Sequence, residues 1–242
     1  MTEKQLKITI YTLFAIVLIA HTGAWKALLY KQQEWLNVPP APTLTQANIQ
    51  FLSDKQFAYR IYGLQIQNFG DTGGRTTAFK DYNYDHVIDW LRLEDNLDSK
   101  SSHIPFLAAY YFSSTQDLNQ LRQIVEYLEY VGQRPYDEHW RWLVQAVFLS
   151  KTKLEDYQLA KQVADTLARV YRPEDMPAYA LQMPAFIEAD MGSKEAAYNI
   201  LMSILKSSVS DLHPNEVNFM KDYICNRILE GEERTKHPLC QE

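Results

Sequence analysis

Two histidines stand among carboxylates: His86 between Asp85 and Asp89, and His139 after Asp137 and Glu138. Acidic groups beside an imidazole can tune its pKa or share a metal ion. Neither cluster supplies two histidines four residues apart or another recognised ligand spacing. Both fall where a helix is expected to begin, and acids there complement the helix dipole. They are read as helix starts, with no metal ligand and no catalytic residue assigned. The glycine-rich stretch 70–84, GDTGGRTTAFKDYNY, lacks the spacing to Lys-Ser or Lys-Thr that a phosphate-cradling loop requires. It reads as a solvated loop whose glycines permit positive φ. Its functional alternative is a recognition loop offering Arg75, Lys80, Tyr82 and Tyr84 to a partner. No serine occupies a G-x-S-x-G elbow. Paired-carboxylate catalysis would need a cleft and a carboxyl of raised pKa, which spacing alone does not reveal.

Cys225 lies in an apolar helical pattern, where a thiolate is disfavoured. In an oxidising compartment Cys225 and Cys240 could close a short loop and staple the tail to the last helix. The alternative is a buried Cys225 and a free Cys240. With two cysteines in the chain, a four-thiolate zinc site is excluded. Trp140 and Trp142, two residues apart, point to different faces of one helix. One serves the core and the other is offered to a groove or neighbour as an interface anchor; the alternative is that both are packed by adjacent helices.

These side chains must be positioned by helices. The 242-residue chain has only 8 Gly, which with its many Ala, Leu, Gln and Glu favours helix over sheet. Its net charge is −6 and its basic residues are scattered, so no positive field gathers nucleic acid. No cofactor is expected.

Residues 8–25, ITIYTLFAIVLIAHTGAW, contain no Asp, Glu, Lys or Arg. As a helix they rise roughly 27 Å, enough with 27–30 to cross a bilayer core of about 30 Å. The apolar run exceeds that of a cleaved signal, and His21-Thr22-Gly23 is a poor cleavage context. The expectation is a cytoplasmic tail at 1–7 and an uncleaved transmembrane anchor at 8–30, with Trp25 and Tyr30 in the headgroup belt. A short tail before a large domain suggests a type II orientation, although the flanking charges bias it only weakly. Residues 31–50, with Pro39, Pro40 and Pro42, are expected to form an extended spacer.

An N-terminal helical segment is expected over 51–102, with Ser53 and Gln56 as a capping box and Gly70 as a helix stop. Beyond residue 85 the 3.6-residue period continues almost to the end. Helices are expected over 86–96, 104–113, 116–131, 137–150, 154–171, 176–191, 193–205 and 213–229. The tail 231–242 is expected to fray.

Successive helix pairs echo one another. Phe112, Phe148 and Phe186 recur at intervals of 36 and 38 residues. Trp140, Leu143 and Val144 lie on the first helix of one block, Ala160 and Ala197 on second helices, and Pro173 closes a unit. This pattern resembles the tetratricopeptide repeat, in degenerate form, with Val144 at a position the family keeps small. The resemblance covers about 103–207 and implies an all-α fold: the anchor followed by a right-handed stack of antiparallel helix pairs, an α-solenoid over 103–230. A two-helix unit cannot bury its own apolar face, so neighbours must stack.

As a whole the layout resembles bacterial inner-membrane proteins that carry a periplasmic repeat domain. That resemblance implies a scaffold or accessory subunit of an envelope complex, binding partner proteins and not acting as an enzyme. A structural subunit of a larger membrane complex and an envelope enzyme with an interhelical active site are the alternatives.

Overall fold

The structure, a computed structural model, describes residues 3–28, 37–72, 74–207 and 212–241, without the side chains of Thr72 and Arg75. The chain divides into two compact units, Met1–Leu36 and Asn37–Glu242.

In the first unit, α1 (Glu3–Leu28) is a single helix with no buried residue, long and apolar enough to cross a membrane. Its three threonines are satisfied within the helix. Thr9, Thr12 and Thr22 donate to the carbonyls of Gln5, Ile8 and Leu18 at 2.9–3.0 Å. Such internal pairing is what an apolar solvent demands. Trp25 is exposed, and Tyr30 lies outside the described residues.

Among the described residues, the regular structure of the second unit is helical apart from a two-residue ladder. It opens with α2 (Leu44–Gln50) and α3 (Lys55–Gln67). The antiparallel pair β1 (Asp71–Thr72) and β2 (Arg75–Thr76) follows, with Asp71 opposite Thr76. Next come α4 (Tyr84–Leu97) and α5 (His103–Phe106), the latter prolonged by a π-helical turn, Leu107–Tyr111, and a 3-10 turn, Phe112–Ser114. Then follow α6 (Leu118–Gly132), α7 (Trp140–Thr152), α8 (Tyr157–Arg169), α9 (Tyr179–Asp190) and α10 (Lys194–Ser207). The last elements are α11 (Pro214–Tyr223), extended by the π-helical turn Ile224–Ile228, and α12 (Gly231–Lys236).

Local chemistry sets the helix starts. Asp54, Asn83, Asp117 and Asp156 each accept a backbone N–H from the first turn of α3, α4, α6 and α8. The expected capping box at Ser53 and Gln56 is replaced by the Asp54 cap, and Ser53 itself takes φ 65. A reciprocal box does form one helix earlier: Thr43 N–H donates to Gln46 Oε1 at 2.8 Å and Gln46 N–H to Thr43 Oγ1 at 3.2 Å.

Helices adjacent in sequence from α6 to α10 pack on one another. The period-3.6 stripe of α6 (Leu121, Ile124, Val125, Leu128, Val131) and that of α8 (Ala160, Val163, Ala164, Leu167) are buried. Gly132 permits the close approach of α6 and α7, since a Cβ there would stand 2.7 Å from Leu143 Cγ and 2.9 Å from its backbone nitrogen. Side chains also bond between helices distant in sequence. Gln123 donates to Asp85 at 2.9 Å, Arg122 to Asp156 at 2.8 Å and Thr166 to Glu129 at 3.1 Å, over 38, 34 and 37 residues.

Two expected segments differ. From Asn37 the supposed spacer is part of the domain, while 31–36 lies outside the described residues. Val38 is fully buried, its carbonyl meets His86 Nδ1 at 2.9 Å, and the Pro39 carbonyl accepts from Trp90 Nε1 at 2.8 Å. The prolines make this strand extended, but Val38 supplies an apolar plug that fastens it. The tail is likewise held. Cys225 and Cys240 form a disulfide with Cα atoms 5.7 Å apart, and Tyr198 Oη meets His237 Nε2 at 2.9 Å.

Candidate functional site

The side chains expected to face a partner are mostly interior. Tyr82 and Tyr84 are buried, Tyr82 donating to the Phe69 carbonyl and Tyr84 to the Phe112 carbonyl, each at 2.6 Å. Burial pushes the Tyr82 hydroxyl up to about 12 and the Tyr84 hydroxyl above its usual range. Lys80 is exposed, but its carbonyl accepts from Gln120 Nε2 at 2.9 Å, which pins the loop. The Arg75 side chain lies outside the described residues. Trp140 and Trp142 are both buried. Two faces of α7 are covered because α6 packs on one flank and α8 on the other, and the Tyr179 ring lies 6.0 Å from that of Trp140. Neither tryptophan is therefore a free interface anchor.

His86 holds the entering strand, and His139 is buried with Nδ1 3.2 Å from the Asp137 carbonyl. The N-cap of α4 is Asn83, and Asp85 receives Gln123, so neither acidic cluster caps through its own carboxylates. Among the described residues no group of three or more His, Cys, Asp or Glu could hold a metal ion.

What the surface does offer is aromatic. Tyr110 on the π-helical turn after α5, Phe148 on α7 and Phe219 on α11 are large, exposed side chains, and Phe186 and Tyr223 are half-buried. Tyr110, Phe148, Phe186 and Tyr223 recur at 38, 38 and 37 residues. The Phe186 ring lies 5.0 Å from Tyr223 and 6.0 Å from Phe219. One turn beyond Phe148 and Phe186, Lys151 and Asp190 form an ion pair, so these two rings share a face. One turn beyond Tyr110, the Ser113 carbonyl accepts at 2.9 Å from Nζ of Lys153, which caps the end of α7. Phe106 stands 4.9 Å from Tyr110 and widens the strip.

The sequence suggested Phe112 as the counterpart of Phe148, but Phe112 is fully buried while Tyr110 is exposed. The intervening π-helical turn widens the helix and changes which aromatic faces outward. That turn leaves no signature in the apolar pattern.

Two other features have chemical potential. A groove of about 750 Å³ lies among α8, α9 and α10, walled by Ala168, Tyr171, Leu181, Pro184, Ile200 and Ile204. Its apolar walls suit an aliphatic or aromatic side chain. Asp165 at its rim is paired with Lys161 at 3.0 Å. The second feature is interior. Glu94 is fully enclosed, neither carboxyl oxygen has a partner among the described residues, and desolvation pushes it up to about 8. Its neighbour Asp95 makes a two-pronged ion pair with Arg134, which raises the guanidinium further above its ordinary range. Tyr59, pushed up to about 12 by burial, donates to Ser101 at 2.6 Å beside this cluster.

No family model, curated protein or solved structure matches the chain.

Proposed function

We propose that the chain is a single-pass membrane protein whose helical domain is a protein-binding scaffold or accessory subunit of a bacterial envelope assembly. In this reading α1 is the anchor, in type II orientation. The domain from Asn37 is a degenerate tetratricopeptide-like stack of antiparallel helix pairs, a right-handed solenoid, in the periplasm. The observation that carries the binding role is the aromatic strip Tyr110, Phe148, Phe186 and Tyr223, repeated at the period of the helix pairs. Aromatic side chains are the commonest anchors of protein interfaces, and one per layer is what a solenoid would present to an extended partner. The side-chain bonds at 34–38 residues support the stacking. The Cys225–Cys240 bond supports an oxidising compartment.

The test is native electrophoresis of gently solubilised membranes containing the full chain or the double variant Phe148→Asp/Phe186→Asp. The wild-type chain is expected in a species heavier than itself, and the variant released from it with its thermal stability retained. Equal migration of the two chains would contradict the role of the strip.

A further inference from the structure

We propose that the corner formed by the end of α2, the following turn and the outer side of α3 is a lipid-binding surface, seated on the headgroups of the membrane that α1 spans. The inference rests on the anchor part of the proposed function and adds a second membrane contact made by the helical domain itself.

The corner is built with its apolar groups outward. Leu52 is 91% exposed and Ile49 is 72% exposed. Phe57, Ile61 and Leu64 are also exposed, and at spacings of four and three they form one stripe along α3. The turn holds Leu52 and Ser53 at φ 52 and 65, a region that side chains bearing a Cβ rarely adopt. Backbone bonds fix it there: Ser53 N–H donates to the Asn48 carbonyl at 2.7 Å and Asp54 N–H to the Phe51 carbonyl at 2.9 Å. Phe51 packs inward against Tyr62, ring to ring at 5.0 Å, while its neighbour Leu52 projects outward.

Charge and tether choose the occupant. Lys55 and Arg60 are exposed on this same corner and have no ion-pair partner among the described residues. The nearby carboxylate of Asp54 is engaged in capping α3, accepting from Phe57 N–H at 2.9 Å. Two cations without ion-pair partners beside an apolar stripe suit anionic lipid phosphates, the Asp98 carboxylate nearby being engaged by Gln56 Nε2 at 3.2 Å. Only residues 29–36 connect Leu28 to Asn37, and a chain of that length extends at most about 30 Å. A spanning α1 therefore keeps a lipid surface within reach of the domain at all times.

The experiment uses the full chain in vesicles of phosphatidylethanolamine with phosphatidylglycerol. Single cysteines replace Leu52, Leu64, Phe14 and Gln158 in turn, each carrying an environment-sensitive fluorophore, and spin-labelled lipids serve as quenchers. Probes at 52 and 64 are expected to be quenched to about half the extent of the probe at 14 or more, as for an interfacial contact. The probe at 158 is expected to stay unquenched. Probes at 52 and 64 that remain water-exposed while the probe at 14 is quenched would overturn the lipid contact and leave the anchor standing. A blue shift at 52 and 64 without lipid quenching would overturn it in favour of a protein partner. An unquenched probe at 14 would overturn the anchor and this inference with it.

Discussion

Glu94 combines full burial with a carboxyl held at about 8, against an ordinary 4.5. Below 4.5 the group is neutral in the folded and the unfolded chain. Between 4.5 and about 8 the unfolded chain releases the proton while the folded chain keeps it, so stability falls as pH rises through this window. Above about 8 the loss is complete. Glu94→Gln is expected to match the wild type near pH 4 and to exceed its stability by several kcal/mol at pH 9, since each pKa step is worth about 1.4 kcal/mol. Denaturant titrations across pH would show this, and parallel pH profiles would contradict it. Gly70 is as exacting in a different way. It has φ 79, and a Cβ there would stand within bonding distance of the Tyr82 hydroxyl. Gly70→Ala is expected to lose about 2–3 kcal/mol, whereas the same change at Gly23 meets no atom within 4 Å and should be silent. The positive φ of Gly70 was legible from its residue type, but the helix stop expected there falls earlier, with α3 ending at Gln67 and Asn68 as its C-cap. The burial of Glu94 was also signalled, because Val87, Trp90, Leu91 and position 94 fall on one helical stripe, yet a carboxylate there reads by type as solvent-facing. For Trp140 and Trp142 the spacing of two showed opposite faces, but not that α6 and α8 cover both.

At the scale of elements, the apolar period located the helices well because it is set by which side meets the core. Their ends and irregularities were less legible. Ser53 and Asp54 are adjacent and both of a type that caps helices, and only the backbone geometry decides for Asp54. The π-helical turns at Leu107–Tyr111 and Ile224–Ile228 leave the residue types unchanged while altering which of them face outward. The tail reads as frayed because its side chains are polar, but the disulfide, the Tyr198–His237 bond and the packing of Leu239 against the buried apolar cluster that holds Leu201, Met220 and Ile224 fasten it. A cross-link closing a loop of 15 residues is worth about 3 kcal/mol. Reduction, or Cys225→Ser with Cys240→Ser, is expected to cost about that much and to raise hydrogen exchange chiefly in α12. Unchanged exchange in α12 would show that the tail is held without the bond.

For the whole molecule, the division into an apolar N-terminal helix and a helical domain followed directly from hydropathy and period. The proposed binding surface did not, because solvent exposure of an aromatic depends on helices packed from elsewhere in the chain. Tyr110 and Phe112 illustrate this: they are two residues apart and similar in type, one exposed and one enclosed. The aromatic strip ties the proposed scaffold role to particular side chains, and its test is site-specific photocrosslinking of the full chain in its native membrane. A photoreactive phenylalanine analogue at Phe148 or Phe186 is expected to yield the same discrete protein adduct, and one at the exposed position Gln158 no adduct. Adducts of equal strength at Gln158, or none at Phe148 and Phe186 in a membrane where the chain is correctly inserted, would contradict the scaffold reading.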